Sequence, residues 1–294
     1  TKDRGSAKSP FYLKIENAIF ENKPDVIVLS TPPVSRFKDL EVCAKYKLPV
    51  LVEKPLAINF NEAKKLVKFM NDKRLLMMVG LNFRYLPSTF EKIKLINSKK
   101  VGKPNFAKFV YERWRDGRLK RLNKYPLKME HPMLWEQSIH HFDLIRYVYN
   151  SDIKTVFATT SNPPWSMYKY DTNVNAILEL KNRIIINYIG NWQSNSKALN
   201  FEWRTECDNG IIVQKKQFEG LYYTSFKSAV EKQIKLKKTK MWFDDANLLF
   251  NDFLGSIKKK RNIYEINTDH LKSLAVVDAC IKSSKTGKKI EIYS

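Results

Sequence analysis

The chain has 294 residues, 53 Lys plus Arg against 30 Asp plus Glu, and a formal net charge of +23. A hydrophobic content of 43% with 13% aromatics excludes a disordered polymer and supplies one large core or two moderate ones. Cys43, Cys207 and Cys280 lie far apart without CxxC spacing, which speaks against a disulfide frame or zinc site and for reduced thiols in the cytoplasm.

In chain order, residues 11–22 read as a helix and Val26 to Ser30 as a buried strand stopped by Pro32 and Pro33. "SRFKDLEVCAKYK" gives the next helix, residues 49–52 a second strand, and residues 61–72 a helix started by Asn59 with Glu62 three places on. "LLMMVGLNF" is a third strand. Strands and helices in alternation with short connections imply a parallel sheet. Beyond Gly102 the texture changes. "KPNFAKFVYERWR" alternates like a strand, and "LWEQSIHHFDLIRYVYN" is a helix. "TVFATTS", "NVNAILELK", "RIIINYIGNWQS", "LNFEWRTECD" and "GIIVQKK" follow as strands in series. Such a series implies a mainly antiparallel sheet. Helices return at "DDANLLFNDFLGSIKK" and at "TDHLKSLAVVDACIKSSKTG", the latter closed by Gly287. The fold class is therefore α/β: a parallel-sheet domain over residues 1–100, then an α/β domain with a large open sheet over 101–294, with the boundary near 98–104. No apolar run has the length of a membrane span, and the opening "TKDRGSAKSP" is not a signal peptide.

Three stretches in order, "DVIVLSTPP…VLVEKPLA…MMVGLNFRYLP", "LWEQSIHHFDLIRYV" and "TDHLKSLAVVDACIKSSKTGKKIEI", resemble the Gfo/Idh/MocA family of NAD(P)-dependent oxidoreductases over nearly the whole chain. The resemblance implies a Rossmann domain, a second domain that carries substrate contacts, and association into homo-oligomers through the second sheet. It also implies NAD or NADP as cofactor and a sugar, polyol or nucleotide-sugar as substrate. The family opens with a GxGxxG turn that holds the cofactor pyrophosphate. This sequence has no such turn and begins at Thr1. It reads as an N-terminally truncated Rossmann domain, short of roughly sixty residues by ordinary α/β unit lengths.

Lys54, in "EKP", sits after a strand, where an ammonium can donate to a reacting oxygen. The resemblance puts it beside the nicotinamide, with Glu53 holding Lys54 or the ribose and Pro55 setting the chain direction. Glu136, His140 and Asp143 are spaced i, i+4, i+7 and fall on one helix face. By resemblance His140 takes the substrate hydroxyl proton, Glu136 orients it or touches substrate, and Asp143 does likewise; imidazole titrates in the right range for that task. The neighbouring His141 is read as structural. The backbone of Thr31 and Pro32 faces the cofactor by resemblance. Arg36, where the family often has His, favours a phosphate or is neutral. Asn82 and Arg84 end the third strand against nicotinamide or substrate. Trp165 and Tyr168, in "SNPPWSMYKYD", suit stacking on a sugar, or packing.

The competing expectations are weaker. "HHxD" fits no standard zinc spacing, so no metal is expected. Basic knots at "GRLKRLNK", "KQIKLKKTK" and "KKKR" accompany no nucleic-acid motif, so no nucleic-acid partner is expected. The alternative to an enzyme is a truncated, non-catalytic relative that keeps the fold and not the cofactor site.

Overall fold

The computed structural model describes residues 10–98 and 100–293; residues 1–9, and Lys99 within the expected boundary, lie outside them. Its contacts divide the chain into two compact units. One runs to Gly80 and includes Phe250–Asp269. The other comprises Leu81–Leu249 and the chain from His270 on.

The first unit alternates helix and strand: α1 (Ile15–Asn22), β1 (Ile27–Leu29), α2 (Arg36–Lys45), β2 (Val50–Val52), α3 (Phe60–Asp72) and β3 (Met77–Val79). The helix expected from residue 11 starts only at Ile15. The strands are parallel, in the order β1-β2-β3. All three residues of the central β2 are buried, which is why it reads as a plain apolar run. Asn59 caps α3: its Oδ1 accepts the Glu62 N–H at 2.8 Å, and its amide reaches the Glu62 carboxylate at 3.3 Å. On the β3 edge, Asn267 accepts the Met77 N–H at 2.7 Å and donates to the Leu75 carbonyl at 2.9 Å, so edge groups that would otherwise lie open are satisfied.

The second unit opens with α4 (Pro87–Asn97) and β4 (Pro104–Glu112). A π-helical turn, Leu134–Ser138, leads into α5 (Ile139–Val148). There follow β5 (Ile153–Ser161), β6 (Asn173–Leu180), β7 (Ile185–Asn191), β8 (Asn200–Cys207), β9 (Gly210–Gln214), β10 (Leu221–Ser225) and β11 (Lys232–Gln233). After α6 (Asp244–Lys258) and α7 (Ile263–Thr286), whose residues Phe250–Asp269 belong to the first unit, comes β12 (Ile290–Glu291). Among the described residues the sheet has nine strands, ordered β11-β10-β9-β8-β4-β7-β6-β5-β12. Only β4 and β7 pair in parallel; the rest is antiparallel. Along β6, Val174, Ala176, Leu178 and Leu180 point into the core, with less buried residues between them. An aromatic core of Phe109, Tyr111, Phe142, Tyr188 and Trp203 lies between this sheet and α5. α7 ends at Gly287, whose φ of +65° takes the left-handed cap that other residues resist.

Helix α4 has no counterpart in the sequence-based expectations. Lys92 in its middle is fully buried, with Nζ 3.3 Å from the centroid of the Trp203 ring, whereas Phe90 is part exposed. A buried lysine and an outward phenylalanine invert the amphipathic pattern. Among the described residues no helix is long and apolar enough to cross a membrane.

Candidate active site

In the first unit the expected residues gather at the carboxyl ends of the parallel strands, the edge at which ligands bind in open α/β sheets. Thr31, Pro32 and Glu53 are exposed, Lys54 is half-buried and Pro55 is buried. Thr31 Oγ1 donates to Asp39 at 2.8 Å. Glu53 accepts the Lys54 backbone N–H on its carboxylate at 3.1 Å, and its own N–H continues the sheet to the Leu29 carbonyl at 2.8 Å. The Lys54–Pro55 peptide is cis. Arg36 is buried and does not offer itself to a phosphate. Its guanidinium donates to the carbonyls of Thr31, Glu53 and Pro55, the last at 2.7 Å. These features fit the ribose–nicotinamide end of a dinucleotide: an exposed carboxylate to accept ribose hydroxyls, two exposed residues after β1, and an ammonium after β2. The sequence holds no GxGxxG turn to receive the pyrophosphate.

In the second unit the expected residues divide into separate groups. Asp143 is 1% exposed and receives a fork of two hydrogen bonds from Arg84, one of them at 2.7 Å. Two residues expected to touch substrate thus pair with each other. Ser273 also donates to Asp143 at 3.4 Å, and Arg146 lies 3.6 Å away while bonding Ser273 at 2.7 Å and Asp152 at 2.9 Å. Burial pushes the Asp152 carboxyl up, but Arg146 and Lys272 outweigh it and hold it below its ordinary value. Asn82 donates to Asp245 at 2.6 Å.

Glu136 lies in the π turn, which widens the helix and shifts it out of the α register on which the i, i+4 spacing to His140 relies. Its carboxylate accepts the Tyr125 hydroxyl at 2.5 Å. Sequence reasoning missed Tyr125, which opens a short 3-10 turn, Tyr125–Leu127, with no periodicity tying it to the helix. The His140 ring stacks on Phe83, centroids 4.3 Å apart and planes 20° apart. Phe83, which the sequence places at the end of a strand, lies instead in a 3-10 turn, Asn82–Tyr85. His141 turns the other way. Its Nδ1 lies 2.8 Å from the Tyr188 hydroxyl and its Nε2 3.1 Å from the Gln137 amide, and full burial pushes its pKa down to about 3. Tyr168 is buried and donates to the Arg115 carbonyl at 3.2 Å, whereas Trp165 is 53% exposed with its indole N–H on the Gln193 carbonyl at 2.9 Å. Of the two aromatics, only Trp165 offers a face to solvent. Among the described residues no group of three or more His, Cys, Asp or Glu is placed to hold a metal ion.

Residues 4–81 match the sequence profile of the oxidoreductase family with an NAD-binding Rossmann fold, and residues 92–213 match the GFO/IDH/MocA C-terminal domain. The chain belongs to the GFO/IDH/MocA family. As a member of it, the chain carries its nicotinamide-dinucleotide fold in the first unit and the family's sheet domain in the second. It is 21% identical over 286 residues to the uncharacterized protein y4oX of Sinorhizobium fredii, covering 91% of this chain and 76% of that protein. It is 27% identical over 148 residues to inositol 2-dehydrogenase of Mycolicibacterium smegmatis, covering 50% of this chain and 40% of the relative. In fold it is similar to levoglucosan dehydrogenase solved with NADH and levoglucosan, with a TM-score of 0.82, 15% identity, and coverage of 96% of this chain and 84% of that one. The chain thus spans less than half the length of the inositol dehydrogenase it matches. The nucleic-acid and non-catalytic alternatives gain no support from these matches.

Proposed function

We propose that this family member transfers hydride between NAD(P) and a CH–OH group of a sugar, polyol or nucleotide-sugar. The observation that carries the proposal is the half-buried Lys54 at the end of β2, its flanking carbonyls both bonded to the buried Arg36. The dinucleotide supplies a hydride acceptor when bound. The rest falls to side chains of this chain. Lys54 donates to the reacting oxygen and favours loss of its proton. His140, held flat against Phe83, accepts that proton. Glu136, anchored by Tyr125, touches substrate or orients His140. Glu53 takes the ribose hydroxyls, with Thr31, Pro32 and Pro55 shaping the cofactor edge and Asn82 near its nicotinamide. Trp165 supplies a face for a sugar ring. Arg84, Asp143 and Tyr168 serve the substrate side from behind, through the Arg84–Asp143 pair and the buried Tyr168 hydroxyl.

The exposed apolar residues Phe157 and Ile177, paired across β5 and β6, with Phe106 and Ile185 paired across β4 and β7, suit self-association through the sheet. The widely spaced thiols suit the cytoplasm. The test is an assay of the chain against myo-inositol, levoglucosan and free aldoses with NAD or NADP, following reduced nicotinamide. Turnover with at least one of them is expected, and saturable quenching of NADH fluorescence should accompany it. No quenching and no turnover would overturn the proposal.

A further inference from the structure

We propose that Arg36 is the positioning residue for Lys54. This inference rests on the role given to Lys54 above. Arg36 is 1% exposed, lies at the start of α2, and gives three hydrogen bonds to main-chain carbonyls. One guanidinium nitrogen, Nη1, donates to both Glu53 O and Pro55 O, the carbonyls on either side of Lys54. The other, Nη2, donates to Thr31 O at the end of β1. A single planar group therefore grips the chain before and after the ammonium-bearing residue and ties it to the neighbouring strand end. Thr31 is held in turn by its hydroxyl bond to Asp39, also in α2.

The chemistry suits this use. Guanidinium stays charged at any pH the fold survives, and it presents five N–H donors in a rigid fork. Hydrogen bonds from a charged donor are stronger than neutral ones. A lysine side chain has four rotatable bonds between backbone and ammonium, so any drift of its anchor adds to the spread of its tip. A misplacement of about 1 Å at the reacting centre costs on the order of 100-fold in rate. Fixing the carbonyls of the residues before and after Lys54 removes part of the spread that the side chain cannot correct. Lysine at position 36 would keep the charge but present one donor point instead of a fork.

The experiment compares wild type with Arg36→Lys and Arg36→Gln in the whole chain, with Lys54→Ala in parallel. Hydrogen exchange is read at the backbone amides of Glu53, Lys54, Leu56 and Ala57. Thermal midpoint, KM for the dinucleotide and kcat are also measured. For Arg36→Lys we expect exchange at those amides to rise at least ~10-fold while the amides of β2 keep wild-type protection, and kcat to fall ~10- to 100-fold with KM little changed. Unchanged exchange at Lys54 would overturn the inference. So would faster exchange with an unchanged kcat, because Arg36 would then be a structural clip only. If Arg36→Gln does not fold, the lysine variant decides. A Lys54→Ala chain with full turnover removes the role of Lys54 itself; an inactive Lys54→Ala beside a fully active Arg36→Lys removes only the positioning role.

Discussion

The two units hold their chemical groups by opposite means. At the strand ends of the first, Thr31, Pro32 and Glu53 stand in solvent, and a buried guanidinium grips the backbone beneath them. In the second, the side chains themselves are buried and locked to each other: Arg84 to Asp143, Arg146 to Ser273 and Asp152, His141 to Tyr188 and Gln137. A group held through its backbone can be replaced without opening the core. A group that forms part of a buried polar network cannot, because its partners are left charged or unpaired in a low-dielectric interior. Substitutions at the exposed strand ends of the first unit should therefore appear in turnover, and those in the buried polar network of the second in stability.

The largest expected stability effect is at Asp143. Asp143→Ala removes the buried carboxylate that the Arg84 fork engages, and urea unfolding should show a loss of about 3 kcal/mol or more; a change under about 1 kcal/mol would remove the contrast between the units. Lys92 should give an effect of opposite sign. Burial lowers its pKa well below the ordinary value, and among the described residues its ammonium has no hydrogen-bond partner. The unfolded chain binds that proton over a range where the folded chain does not, so Lys92 weakens the fold as pH falls below about 10. Lys92→Met keeps the volume and should raise stability near neutrality by about 1–3 kcal/mol, read as a higher thermal midpoint. A lower midpoint would mean that the contact with the Trp203 ring outweighs the buried charge.

His141 should give the smaller, pH-dependent effect. Its folded pKa is depressed to about 3 by burial, below an unfolded value near 6.5. Its contribution is complete above about pH 6.5 and is lost as pH falls toward 3, at about 1.4 kcal/mol per pH unit. Comparing unfolding free energies at pH 7 and pH 5 for wild type and His141→Gln should show that slope shrink in the variant. The same slope in both would place the titration elsewhere.

The difference between the units also explains what the sequence disclosed. In the first unit, strand ends and turns are written in local chemistry: the Asn59–Glu62 cap, the valine run of β2, and the prolines after β1. The Arg36 clip was not legible, because a guanidinium that binds three carbonyls looks in sequence like one that binds a phosphate. In the second unit the strand series and α5 could be read from alternation and periodicity, as could the structural part of His141. Helix α4 could not, since Lys92 and Phe90 reverse its pattern. The pairing of Arg84 with Asp143 spans 59 residues, and the bond from Tyr125 to Glu136 depends on a π turn that no residue announces. Spacing alone put Glu136, His140 and Asp143 on one face; the wider turn and the ion pair give each a different neighbourhood. Texture marks a change at 98–104, where the strand series begins, while packing divides the chain between Gly80 and Leu81.

The most direct measurement is the rate of reduced-nicotinamide formation by Lys54→Ala, taken beside its thermal midpoint and its NADH affinity. We expect turnover to fall by about 100-fold or more, with the midpoint and the affinity close to wild type. A Lys54→Ala chain that turns over at the wild-type rate would contradict the central claim that this ammonium takes part in the chemistry.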